Sequence, residues 1–253
     1  MSNSEWLPMK TIPEIFLIFL LFIPGVSCNR GNKTDEFTIR GEFLNSKGEK
    51  VIFGEMDVSE FIPLDSAKTG SDGTIFFSHG ADQPGFYFLE FPAGKRMILL
   101  LERKEHLTVK GNIQEDPENF ILSGSKGSEI LQSFFKATAR NWARVDSVRA
   151  VLLQNEGGGD FLRISIIADS AFSRISEDQK KLEKDFIDRY PHSLASLVVL
   201  NYSFGQKPVL TLESDLNYYE KLTNLYKFYP TNKHVIFHMK RMNLYKGKGV
   251  HGN

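Results

Sequence analysis

The chain has 253 residues in which 31 Lys and Arg offset 31 Asp and Glu, and a formal charge of zero leaves no electrostatic footprint for nucleic acid. Hydrophobic residues make up 41%, with 21 Phe and 8 Tyr, enough to bury a core in one large domain or two small ones. A single cysteine excludes both an internal disulfide and a Cys-x-x-Cys redox pair.

The chain opens with an apolar run, Ile15 to Ile23, far short of the roughly 20 residues that span a bilayer as a helix. Lys10 precedes it and Pro24-Gly25-Val26-Ser27 follows, the arrangement of a secretory signal peptide over residues 1–27, although Glu5 and Glu14 weaken the basic bias. Cys28 comes next. Its position reads as the lipid-attachment site of an exported lipoprotein, with Gly25 standing where such signals usually carry Leu. Gly25 and Ser27 also satisfy the small-x-small rule of ordinary cleavage. Lipidation is the favoured reading, because a cysteine used nowhere else falls at this one spot. The protein is then expected in the cell envelope, at the outer membrane or on the periplasmic side, with the membrane as its partner through Cys28. Residues 28–36, polar and without apolar periodicity, read as the lipidated tether.

From Phe37 the pattern changes to period two. Phe37, Ile39, Gly41 and Phe43 alternate with Thr38, Arg40 and Glu42, as in a half-buried strand. Similar segments follow at Val51 to Met56, Ile62 to Ala67, Thr74 to Ser78, Phe86 to Phe91, Met97 to Leu101, His106 to Lys110 and Phe120 to Leu122. Asp72-Gly73 is the clearest turn signal between them and predicts a tight hairpin turn. Phe86-Tyr87-Phe88-Leu89 is apolar on both faces and belongs at the centre of a sheet. The fold class is α+β: an antiparallel β-sandwich of about seven or eight strands over 37–123, followed by an all-helical segment over 124–246 and a flexible tail at 247–253.

The helical period begins near Ser123-Gly124-Ser125-Lys126-Gly127-Ser128. The loop lacks the Gly-Lys-Ser/Thr ending of a phosphate cradle and reads as a linker with Ser125 or Ser128 as the helix cap. Ile130, Leu131, Phe134, Phe135, Trp142 and Val145 form one apolar stripe, and Ala171, Ile175, Leu182, Phe186 and Tyr190 another. Gly157-Gly158-Gly159 must interrupt the helix between them, which predicts an antiparallel pair. The chain reads as helical from there to its end. Asp188-Arg189-Tyr190-Pro191-His192-Ser193 is echoed by Lys227-Phe228-Tyr229-Pro230-Thr231-Asn232. In each copy a helix should end before the proline, with Ser193 or Thr231 capping the next, so two hairpins could stack as a short solenoid.

No pattern carries a catalytic constellation. Asp65-Ser66 with His79 or His106 contains hydrolytic residue types but no glycine-flanked nucleophile turn. His234 and His238 lie four apart on one helix face without the glutamate of a zinc-protease motif, since Val235 follows the first, and without an evident third ligand. Asp146, Glu156, Asp160 and Asp169 do not match a calcium loop. Catalytic, cofactor and metal residues are therefore expected to be none, leaving Cys28 as the one site residue.

Phe37-Thr38-Ile39-Arg40-Gly41, Asp65-Ser66-Ala67-Lys68-Thr69, Asp72-Gly73-Thr74-Ile75-Phe76-Phe77, Pro84-Gly85-Phe86-Tyr87-Phe88-Leu89 and Ser123 to Ser128 occur in an order that resembles a β-sandwich domain of unknown function in lipoproteins of Gram-negative envelopes. There it commonly precedes a thioredoxin-like disulfide oxidoreductase domain of the TlpA or ResA type. The stretch Phe186 to Leu197 resembles the helical connector of those proteins. The resemblance implies a redox domain after this point, carried by a Cys-x-x-Cys pair that this chain lacks, so no thiol-disulfide role transfers. The expected function is a non-enzymatic envelope lipoprotein acting as a binding or scaffolding module, with an envelope protein as a possible partner. The alternative is the front portion, or companion, of a thioredoxin-like oxidoreductase.

Overall fold

The computed structural model describes residues 35–205 and 207–249. The signal peptide, Cys28 and nearly all of the tether lie outside the described residues, as do residues 250–253 of the tail. Strands β1 (Glu36–Leu44), β4 (Thr74–Gly80), β7 (His106–Asn112) and β8 (Ile121–Ser123) form one sheet in the order β4-β1-β7-β8. Strands β2 (Lys50–Met56), β3 (Phe61–Lys68), β5 (Gly85–Glu90) and β6 (Arg96–Leu101) form the other in the order β3-β2-β5-β6. The sandwich is antiparallel except where β1 runs parallel to β7, with Ile39 opposite Leu107. The long passage through the second sheet between β1 and β7 makes that parallel pairing possible.

Alternation decides which side chains enter the sandwich. Phe37, Ile39 and Phe43 of β1 meet Phe53 of β2, Tyr87 and Leu89 of β5, and Leu99 of β6 in one buried cluster. The Phe37 ring sits edge-on to Tyr87 at 4.7 Å. Burying each such ring contributes about 1.5–3 kcal/mol.

The second sheet is covered on both faces, as the doubly apolar run at Phe86 requires. Phe86 and Leu100 point away from the sandwich into a second cluster, built with helix residues such as Leu131, Leu197 and Tyr219. The body is therefore three-layered: sheet, sheet, helices. Among the described residues no helix is long and apolar enough to cross a membrane.

Asp72-Gly73 does form a tight turn. Gly73 has φ +77°, and Asp72 Oδ1 accepts from Thr74 N at 3.1 Å. The turn does not close a hairpin, however: it carries the chain from β3 in one sheet to β4 in the other.

Helix α1 (Lys126–Gln154) begins as expected, with Ser125 Oγ accepting from Ser128 N at 3.3 Å. It pairs with α2 (Phe161–Arg189) around the glycine break, where Gly157 has φ +78°. From Asp146 to Ile167 no residue of this hairpin is buried.

After α3 (Ala195–Leu200) the expected unbroken helical run fails. A two-stranded hairpin, β9 (Ser203–Phe204) with β10 (Lys207–Pro208), intervenes, turning at Gly205 with φ +75°. Next come α4 (Leu216–Leu222), a 3-10 turn and α5 (Lys233–Gly249).

In the repeat, α2 and the 3-10 turn each end before their proline. Ser193 Oγ accepts from Ala195 N at 3.2 Å, but the second cap is Asn232 rather than Thr231. Asn232 Oδ1 accepts from His234 N at 3.0 Å, and its Nδ2 donates to Pro84 O at 2.9 Å. Thr231 instead bonds Gln83 Oε1 at 2.9 Å. Residues 247–249, read from sequence as tail, continue α5, which is held in place by buried Val235 and Met242.

Candidate functional site

Where α5 returns to the second sheet, an open cleft of about 580 Å³ lies between the β2–β3 loop, strands β5 and β6, and helices α1, α3 and α5. Phe86 and Ile98 from the sheet, Phe135 from α1, and Leu197 and Val198 from α3 line its apolar walls. Phe61 and Phe237 stand at its rim 40% and 50% exposed.

The two histidines singled out by their spacing are both in this wall, each bonded across to a different element. His234 Nε2 donates to Met56 O at the end of β2 at 3.0 Å, and its ring meets Phe86 edge-on at 4.8 Å. His238 Nε2 donates to Tyr219 O in α4 at 2.8 Å. A carbonyl acceptor fixes the proton on Nε2, so that nitrogen is unavailable to a metal in either ring. Burial holds both imidazoles below their usual pKa, keeping them neutral near pH 7. Among the described residues no three His, Cys, Asp or Glu side chains gather as a metal would need.

Charged groups frame the cleft. Lys233 Nζ reaches Glu55 at 2.7 Å and Asp57 at 2.9 Å, and its hydrogen bond holds the Asp57 carboxyl below the usual range. About two turns further along α5, Arg241 Nη1 donates to Asn201 Oδ1 at 2.8 Å while the guanidinium carbon lies 5.0 Å from the Tyr219 ring centre. Tyr202 Oη, also in the wall, accepts from Trp142 Nε1 at 3.2 Å.

The hydrolytic residue types do not assemble. Asp65 and Ser66 are exposed on β3, where Asp65 Oδ1 accepts from Ser66 N at 2.6 Å. His79 packs among Phe37, Phe53 and Tyr87, each about 5.8 Å away or less between ring centres in that cluster. His106 Nδ1 is 2.9 Å from Thr38 Oγ1 on the neighbouring strand β1, in the sheet that does not hold Asp65 and Ser66. Of the four scattered acids, Asp146 lies 3.4 Å from Arg149 on its own helix.

Sequence reasoning missed a buried polar ladder inside the α1–α2 pair. Asn141 Nδ2 donates to Gln179 Oε1 at 2.9 Å, and Gln179 Nε2 donates to Thr138 Oγ1 at 3.2 Å and to Glu183 Oε1 at 3.1 Å. Glu183 is wholly buried with Oε2 unpartnered, and burial pushes its carboxyl up to about 8. The signal was present: Gln179 and Glu183 continue the face of Ile175, four residues apart along α2. Asp215, equally covered, lies 2.9 Å from Lys180 Nζ and 2.8 Å from Lys184 Nζ. Burial raises its pKa, but the hydrogen bonds from Lys180, Lys184, Ser214 and the Thr211 N–H outweigh this and keep it ionised.

No protein-family model matches this chain, and no curated protein matches it.

Proposed function

We propose that this chain is a non-enzymatic binding module of the cell envelope, held at the membrane through Cys28, and that the cleft between sheet and helices receives its ligand. The observation that carries this reading is the cleft: about 580 Å³ falls in the range of small-molecule sites, and its walls combine apolar side chains with a few fixed polar groups. The two histidines that border it spend their Nε2 protons on backbone carbonyls. They serve as struts for α5 rather than as proton carriers. The thioredoxin-associated role rests on the order of the sequence motifs alone.

The test uses N-phenyl-1-naphthylamine, a neutral dye that brightens in apolar surroundings. The native chain is expected to bind it saturably, and Val198→Trp, which fills the cleft from α3, to abolish the saturable phase while keeping the native circular dichroism. Saturable binding that survives Val198→Trp would place the apolar site elsewhere and refute the reading.

A further inference from the structure

We propose that the ligand of this cleft is an apolar molecule ending in a carboxylate, with Arg241 as its anion anchor; the inference rests on the cleft being the ligand site. The two ends of the cleft differ in how their charge is met. At the β2–β3 end Asp57 is compensated inside the fold by Lys233 at 2.9 Å, and the exposed Glu60 beside it adds negative charge that turns an anion toward the other end. At the α5 end, among the described residues, no carboxylate lies within ion-pairing distance of Arg241.

That guanidinium is nevertheless held in place. Nη1 is bonded to Asn201 Oδ1 and the plane lies near the Tyr219 ring, so part of the ordering entropy of a long side chain is already lost before a ligand arrives. A guanidinium has five N–H donors, and the bond to Asn201 occupies one, leaving a fork suited to two carboxylate oxygens. Among the described residues Arg241 is the only Lys or Arg in the cleft lining, and the neighbouring histidines are neutral, so one unit of negative charge is matched at that end where a doubly charged phosphate is not. Between the ends, Phe86, Ile98, Phe135, Leu197 and Val198 offer a bed for a hydrocarbon or aromatic body and nothing for a second charge. A neutral ligand of the same shape would cover Arg241 without pairing it, at a desolvation cost.

Decanoate and 1-decanol, equal in tail and different in charge, separate these terms. They are titrated against the full chain, produced without lipidation and carrying Trp6→Phe, so that Trp142, bonded to Tyr202 in the cleft wall, is the one fluorescent reporter. Decanoate is expected to bind at least about tenfold tighter than 1-decanol, and Arg241→Gln to erase that preference by weakening decanoate, with the native circular dichroism retained as the report that the variant is folded. Equal affinities in the native chain, or a preference that persists in Arg241→Gln, would overturn the carboxylate assignment with the cleft still standing. Binding of neither compound would remove the cleft reading together with it. A tetrapeptide Ala-Ala-Leu-Phe, with free or amidated C-terminus, distinguishes the source of the carboxylate. Peptide acid binding tighter than decanoate marks a chain terminus, and the reverse marks a free acid.

Discussion

Glu183 illustrates how one side chain can hold a pH dependence for the whole fold. Its folded pKa, about 8, stands above the ordinary carboxyl value, so between those two limits the unfolded chain has released a proton that the folded chain keeps. The contribution of Glu183 is therefore fully present below about pH 4.5 and is lost as pH rises to about 8. Glu183→Gln keeps the acceptor for Gln179 and removes the titration. Unfolding free energies of the two proteins from urea titration should coincide near pH 4 and separate in favour of the variant by a few kcal/mol at pH 8; a constant difference across that range would contradict the assignment. The histidines act on the other side. Their folded pKa values lie below the usual one, so the unfolded chain takes up protons first and stability falls as pH drops below about 6.5. His238→Gln retains an N–H for Tyr219 O and should flatten this acid limb. His238→Ala should cost about 1–3 kcal/mol through the unmet carbonyl, measurable by urea unfolding at pH 7.

At the scale of elements, the start of α1 joins the sandwich to the helices. Ser128 Oγ accepts from Leu100 N at 3.1 Å and donates to Leu100 O at 2.9 Å, and Ser125 Oγ donates to the same carbonyl at 3.0 Å. Leu100 belongs to β6, an edge strand, so the capping Ser125 and the Ser128 it caps also close the open side of the sheet. Ser128→Ala leaves a buried N–H without an acceptor and should cost about 1–3 kcal/mol in urea unfolding. In the far turn, Gly157→Ala meets its positive φ and should cost about 1 kcal/mol, whereas Gly159→Ala, with open space around it, should cost nothing. An equal cost at both glycines would contradict this geometry.

Elements were legible wherever a local pattern determined them: the alternation from Phe37, the doubly apolar Phe86 to Leu89, the cap at Ser125 and the break at Gly157 to Gly159. Their partners were not legible. The parallel β1–β7 pair and the cross-sheet turn at Gly73 depend on which strands meet, and neither leaves a mark within a few residues. Asn232 displaced Thr231 as a cap because Pro84, far away in sequence, offered its amide a second bond.

The whole molecule is held together by the second sheet, whose two apolar faces require both the first sheet and the helices. Its outer face is left only partly covered beside α5, and that gap is the cleft. No sequence window shows it, because Phe61, Phe86, Phe135, Val198 and Arg241 come from five separate elements. Of the candidate residues, sequence pointed to His234 and His238, for the reason of metal spacing, while Arg241 carried no local signal at all. The most direct measurement is an amide chemical-shift map of the full chain titrated with N-phenyl-1-naphthylamine. The account predicts shifts concentrated at Phe61, Phe86, Val198, Tyr202 and Phe237. Shifts gathered instead on the exposed half of the α1–α2 hairpin, between Asp146 and Ile167, would contradict it.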